Sequence, residues 1–295
     1  MSVRSIREIV EATTEQVGAA KLEMLRAIGP ARVREFDPFL LLYVFDYSYP
    51  EEYTKGIPWH PHRGLETITY VIRGDLHHVD SLGNRGRIRD GGCQWMTAGS
   101  GIMHQEMPRS VDGMPDEEKE SILDGIERMY GVQLWLNLPS KDKMAPPRTV
   151  DVAAKHIPEI VRDGSRVKIL SGHYETQAGP FVGEYVQLLF LDVTLDLGKR
   201  WVLETVQDAN LFAYVLEGTG RFGDAEHPVV TPGRAVLFQK GDELVAQSED
   251  KGLRFLVFSA KALREPIAWH ETIVMNADEE LSQAMRELRQ GRFIR

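Results

Sequence analysis

Between residues 22 and 79 the chain runs through short stretches rich in β-branched and aromatic residues, PFLLLYVFDY and ETITYVIRG among them, broken by Gly, Pro and Asp clusters. That pattern predicts many short strands. Leu82-Gly83-Asn84-Arg85-Gly86 supplies a hairpin turn, because Gly and Asn tolerate the positive φ of tight turns, and strand character continues over 94–104 and in YGVQLWLNL. The segment 17–28 is open at this level: its Ala and Leu content permits a helix, while AKLEMLRAIG also alternates and ends in Gly29-Pro30. The charged stretch 112–127, with DEEKE at its centre, has no strand pattern and reads as a solvated loop or short surface helix. After KDKMAPPR, whose charges and paired prolines mark a crossing between domains, strands recur at 166–171, 186–197, 211–217, 235–239 and 254–259. Only the tail changes period. Leu281, Ala284, Met285 and Leu288 recur at i, i+3, i+4 and i+7, with a capping-box pattern from Asn276 to Glu279 and Gly291 as a stop, which predicts one amphipathic helix laid on a β domain.

A length of 295 residues with 42% hydrophobic content is enough for two cored domains and excludes bulk disorder. The balance of 35 Lys and Arg against 44 Asp and Glu, a net charge of −9, argues against direct nucleic-acid binding, since phosphate attraction needs an excess of cations. Cys93 is the only cysteine, so an internal disulfide and cysteine-pair metal motifs are excluded; a reducing, cytoplasmic setting is the expectation. The first residues carry no apolar signal core, and the apolar run 39–45 is far shorter than the roughly 20 residues of a spanning helix, so no membrane contact is expected.

The candidate chemistry lies in two segments, His60-Pro61-His62 and His104-Gln105-Glu106. On a strand, side chains at i and i+2 share a face, so each segment can aim two ligands into one barrel interior. Two such strands side by side would bring three imidazoles and a carboxylate together, a set suited to a divalent transition metal that leaves octahedral positions open for substrate or dioxygen. Each segment sits beside a Gly-containing bend, Arg63-Gly64 or Gly99-Ser100-Gly101.

The stretches HPHRGLETITYVIRG, GGCQWMTAGSGIMHQEMP and GVQLWLNLPSKDKMAPP, with EPIAWHETIVMN, a short helix and GRF at the C-terminus, resemble the pirin family within the cupin superfamily over nearly the whole chain. The resemblance implies an all-β bicupin, two double-stranded β-helix (jelly-roll) barrels in tandem with a short C-terminal helix, and favours strand for 17–28. The expected division is a metal-binding barrel over 1–140, a connection over 141–165, a barrel without metal ligands over 166–262, and a tail and helix over 263–295. It implies His60, His62, His104 and Glu106 as ligands of one divalent metal, most often iron, with manganese, nickel, copper and zinc all compatible with this donor set. Glu66 stands where the general cupin motif places a ligand carboxylate, but pirins use the later glutamate, so Glu66 is expected to be structural or to support the ligands from outside. Some pirins open flavonol rings oxidatively, which implies a quercetinase-type mononuclear iron dioxygenase acting on a small aromatic substrate, with Glu106 as general base. Others act through protein partners, so the alternative is an iron-dependent regulatory or transcription-cofactor module.

Around the site, His77 and His78 point opposite ways on their strand, and His78 is the better candidate for a supporting role. Trp95, Met96 and Met103 are expected to line the barrel, and Cys93 to be a packed residue. The second half has Arg200-Trp201-Val202-Leu203-Glu204 where the first has its histidine pair, and His173, His227 and His270 are scattered there, so no metal is expected in that barrel. Gly218-Thr219-Gly220-Arg221-Phe222-Gly223 spells a dinucleotide fingerprint, but Pro228 and Pro232 forbid the helix that must open there, and a β-turn is expected instead. If 112–127 closes over the barrel mouth, substrate preference departs from that of other pirins. Two barrels in one chain favour a monomer.

Overall fold

The computed structural model describes residues 1–109, 128–223 and 227–294; the segment 112–127, expected as a loop or lid, lies outside the described residues. The chain gathers into two compact units, one of Met1–Thr13, Ala27–Leu40 and Lys155–Arg264, the other of Thr14–Arg26, Leu41–Ala154 and Glu265–Arg295. This differs from the linear division the sequence pattern suggested. Sheet edges, not chain order, decide membership, because an unpaired strand edge leaves its backbone N–H and C=O groups without partners.

In the first unit the N-terminal strand Ile6–Glu11 pairs antiparallel with Arg234–Phe238 at the edge of an eight-stranded sheet. Arg4 lies just before that strand and is fully buried. Its guanidinium donates to Thr205 Oγ1 (2.8 Å) and to the carbonyls of Val206 (2.7 Å), Gln239 (3.0 Å), Ala209 (3.1 Å) and Gln207 (3.3 Å). The core of this unit is apolar throughout, built on Leu191, Val193, Phe222, Phe255 and Val257. Gly218 and Gly220 lie within the long strand Asn210–Phe222, where they accompany irregularities in register, and among the described residues no helix opens there, so these two glycines are a strand feature.

The second unit holds most of a seven-stranded sheet, in the order Arg148–Val152, Cys93–Thr97, Leu65–Arg73, Met129–Asn137, Phe39–Tyr47, Leu22–Ile28 and Thr13–Val17. The segment 17–28 is therefore the end of one strand and the whole of another; Gly18 (φ 69°) takes the positive φ of the bend between them. A four-stranded sheet, Ile57–His62, Ile102–Pro108, Asp75–Asp80 and Arg85–Arg89, completes the unit. The hairpin expected around residue 83 joins its last two strands, with Asp80 Oδ1 accepting from the backbone N–H groups of Leu82 (2.9 Å) and Asn84 (3.0 Å). Gly86 falls inside the second strand of that hairpin, opposite His78.

The C-terminal helix is Asp278–Arg289, packed through Leu281, Ala284, Met285 and Leu288 on Ile273, Met275 and Phe293. Its cap is one residue later than expected. Ala277 is the N-cap, and the carboxylate of Glu280 accepts from the N–H groups of Asn276 (3.0 Å) and Ala277 (3.1 Å), because the Asn276 amide is engaged with the Pro266 carbonyl (2.7 Å).

Candidate metal centre

The strands Ile57–His62 and Ile102–Pro108 pair antiparallel with His60 opposite His104 and His62 opposite Ile102. Cross-strand partners share a face, so the two histidine-bearing segments aim into one interior. The imidazoles of His60, His62 and His104 converge until one nitrogen from each lies within 4.8 Å of the others, and among the described residues this is the one cluster of that kind. Ring centroids stand 4.3 Å apart for His60 and His104, 4.9 Å for His60 and His62, and 5.0 Å for His62 and His104.

Three features suit these residues to a cation. His104 Nε2 is buried without a hydrogen-bond partner and the ring nitrogens of His62 are buried with only a loose backbone contact from Thr272, a cost a folded protein seldom carries without function. Burial, reinforced by His60, holds His62 well below the usual imidazole pKa; the Thr272 backbone opposes this and is outweighed. His104 is lowered in the same way by burial and by His60, His62 and His78, so both rings are neutral at pH 7 and keep a lone pair for a metal. His60 Nδ1 lies 2.9 Å from the Pro58 carbonyl, which must therefore accept the ring proton and leaves Nε2 as the donor atom. The donor set fits a divalent transition metal, which His60, His62 and His104 would hold.

Glu106 lies outside that 4.8 Å set. A register irregularity between His104 and Glu106 places it opposite Ile57 on one side and His78 on the other. Its buried carboxylate accepts from Gln133 Nε2, 2.9 Å from Oε1 and 3.1 Å from Oε2. Gln133 and Trp135 alternate on the strand Met129–Asn137, and Trp135 meets His62 edge-on at 5.0 Å and stacks with Trp269 at 6.0 Å. Neither was singled out from sequence. The available signal was a polar residue in the middle of the apolar run YGVQLWLNL.

His78 is buried and lies 2.7 Å from Asp151 Oδ2, whereas His77 is half-buried beside Asp75. Burial alone would raise the Asp151 carboxyl, but hydrogen bonds from His78 and Gln94 overcome it and hold it below its ordinary value. Glu66 does not face the cluster. Its ladder partners are Thr97 and Leu136, so it shares a face with Ile68 and Tyr70, opposite the face that carries Thr67, Thr69, Gln133 and Trp135, and it accepts from Thr97 Oγ1 at 2.6 Å. The same alternation divides the expected barrel lining. Met96, opposite Thr67, faces inward and packs with Ala98 and Ile102; Trp95, opposite Ile68, faces the other side of the sheet; and Met103, between Ile102 and His104, points away. Cys93 is buried, and burial together with Asp151 pushes its thiol far above the ordinary range, as befits a packed residue. In the other unit Trp201 and Leu203 are buried, and the Trp201 indole donates to Tyr174 Oη at 2.9 Å.

Two cupin-type barrels, one with a three-histidine cluster and one filled with apolar side chains, define the protein as a bicupin. Family models confirm the class at finer grain: Pirin matches residues 21–136 and the Pirin C-terminal cupin domain matches residues 190–294. A pirin-like protein of Caulobacter vibrioides is 37% identical over 295 residues, 99% of this chain and 100% of that protein. A pirin-like protein of Solanum lycopersicum is 35% identical over 268 residues, 90% of this chain and 85% of its own. The crystal structure of quercetin 2,3-dioxygenase from Acinetobacter baumannii superposes with a TM-score of 0.87 at 28% identity, covering 99% of both chains. The chain belongs to the pirin family.

Proposed function

We propose that this protein is a mononuclear iron(II) dioxygenase of quercetinase type, acting on flavonol-like aromatic substrates, with Glu106 as the fourth metal ligand or general base. The observation that carries the reading is the convergence of His60, His62 and His104, with His62 and His104 buried and held well below the usual imidazole pKa and His104 Nε2 left without a hydrogen-bond partner. The likeness to a protein described as quercetin 2,3-dioxygenase supports it. Bound there, iron(II) would offset the charge of a deprotonated flavonol hydroxyl and supply the redox partner for dioxygen. The protein's own part is to bind, orient and move a proton. Glu106, hydrogen-bonded to Gln133, would accept the hydroxyl proton at a carboxylate oxygen. Trp135, perpendicular to the His62 ring and stacked with Trp269, makes the wall beside the imidazoles aromatic and apolar. Burial of His62, His104 and Glu106 keeps bulk water from competing for the reacting groups.

The test is oxygen uptake with quercetin by protein reconstituted anaerobically with ferrous iron, beside H104A, with metal content assayed on both. Uptake that follows bound iron and vanishes in H104A supports the dioxygenase. Stoichiometric iron without uptake overturns it for flavonols and favours an iron-dependent regulatory module acting through protein contacts.

A further inference from the structure

We propose that Gln133 is the positioning residue for Glu106, and that the Trp135 indole N–H decides which way the Gln133 amide faces. The inference rests on the three-histidine cluster being a metal centre. An indole N–H donates and never accepts, so its 3.0 Å approach to Gln133 Oε1 fixes the amide oxygen toward Trp135. The NH2 group must then face Glu106, and it does so within hydrogen-bond distance of both carboxylate oxygens. An amide has two ends of nearly equal shape, and without Trp135 nothing in its size would distinguish them. Turned the other way, the amide oxygen would meet the carboxyl oxygens of Glu106 and lose both hydrogen bonds.

Register builds the arrangement. Gln133 and Trp135 share a face of their strand, and Thr69 sits directly across the ladder from Gln133, its Oγ1 3.1 Å from Gln133 Nε2 and 3.5 Å from Glu106 Oε1. Trp135 therefore meets the centre twice, through its perpendicular ring contact with His62 and through Gln133 with Glu106. Glu106 is tied as a hydrogen-bonded carboxylate beside the imidazoles. Releasing that tie leaves both carboxylate oxygens in want of a buried partner, and the nearest candidate is a metal at the imidazoles, so Gln133 sets how far Glu106 engages the metal.

Two readouts test this. In the metal-free, nitrogen-15-labelled protein, the Trp135 indole resonance, assigned by its loss in W135F, should move in Q133L; E106Q should move it in the wild-type background and leave it in place in the Q133L background. In cobalt(II)-loaded protein, Q133L should change the visible absorption bands and shift the dissociation constant, read by chelator competition, by fivefold or more. Both changes should disappear when E106Q is already present, and W135F should give a smaller change of the same kind, which also serves if Q133L does not fold. Equal effects of Q133L with and without Glu106, or an indole resonance indifferent to both substitutions, would overturn the proposal. Wild-type protein that takes up no cobalt would overturn the metal reading, while the indole resonance would still decide the relay on its own.

Discussion

Gly86 is the narrowest point around the His78 and Asp151 pair. A Cβ built there would stand 1.9 Å from Asp151 Oδ2 and 2.1 Å from His78 Nε2, the two atoms that share the 2.7 Å hydrogen bond. The φ of Gly86 is not positive, so the backbone accepts alanine, and the clash is with the ends of two side chains. G86A should therefore fold and break the bond, because any movement that relieves one contact separates the pair. Losing a hydrogen bond to an ionised group costs about 1.5–3 kcal/mol, and disturbing the 3.0 Å bond from Gln94 to Asp151 about 1 more; alanine's smaller unfolded-state entropy returns about 0.4–1. The net expectation is a loss of about 2–3 kcal/mol in urea unfolding at pH 7. Because Asp151 is held below its ordinary 3.8 in the folded state, the stability it contributes is complete well above that value and fades as pH falls through the folded pKa. The contribution of Asp151 to the difference between wild type and G86A should accordingly shrink as pH falls below about 3.8. In a D151A background G86A should cost less than 1 kcal/mol, since the bond is already gone. An undiminished cost there, or a G86A protein as stable as wild type at pH 7, would refute the reasoning.

Other outcomes follow from the same structure. R4M removes five donated hydrogen bonds from a fully buried site and strands four backbone carbonyls; it should lower the stability of that barrel by about 3 kcal/mol, read as lost hydrogen-exchange protection in Arg234–Phe238. H104L should abolish metal uptake while making the metal-free protein about 1 kcal/mol more stable, because it replaces a buried, unpartnered nitrogen with an apolar group; calorimetry on chelator-treated samples decides it. Lys143 donates to the Gly64 carbonyl (2.7 Å), Asn137 Oδ1 (2.6 Å) and the Val274 carbonyl (3.0 Å), yet burial pulls its ammonium from 10.5 down to about 7 against the attraction of Glu265 and Glu280. Between those values the unfolded chain holds a proton the folded chain lacks, so stability should rise with pH; urea midpoints at pH 7 and 9 should show the rise in wild type and not in K143M.

Alternation of apolar and polar residues, short spacing between turn signals and the two i, i+2 ligand segments are local properties, and they survive into the structure because a strand's side-chain period is fixed by its own backbone. From them the all-β class, the C-terminal helix and the gathering of His60, His62 and His104 were legible. What local pattern cannot carry is the identity of a strand's neighbour, since pairing is decided by which edges meet after the sheets form. Thus Ile6–Glu11, unremarkable at the N-terminus, completes a sheet built from the second half of the chain. The same limit hid Asp151 behind His78, Gln133 behind Glu106 and Trp135 behind His62, partners separated by 73, 27 and 73 positions that only register brings together. It also turned Glu66 and Trp95 away from the site: one residue of phase along a strand selects the face, and ladder partners fix that phase against the histidine cluster.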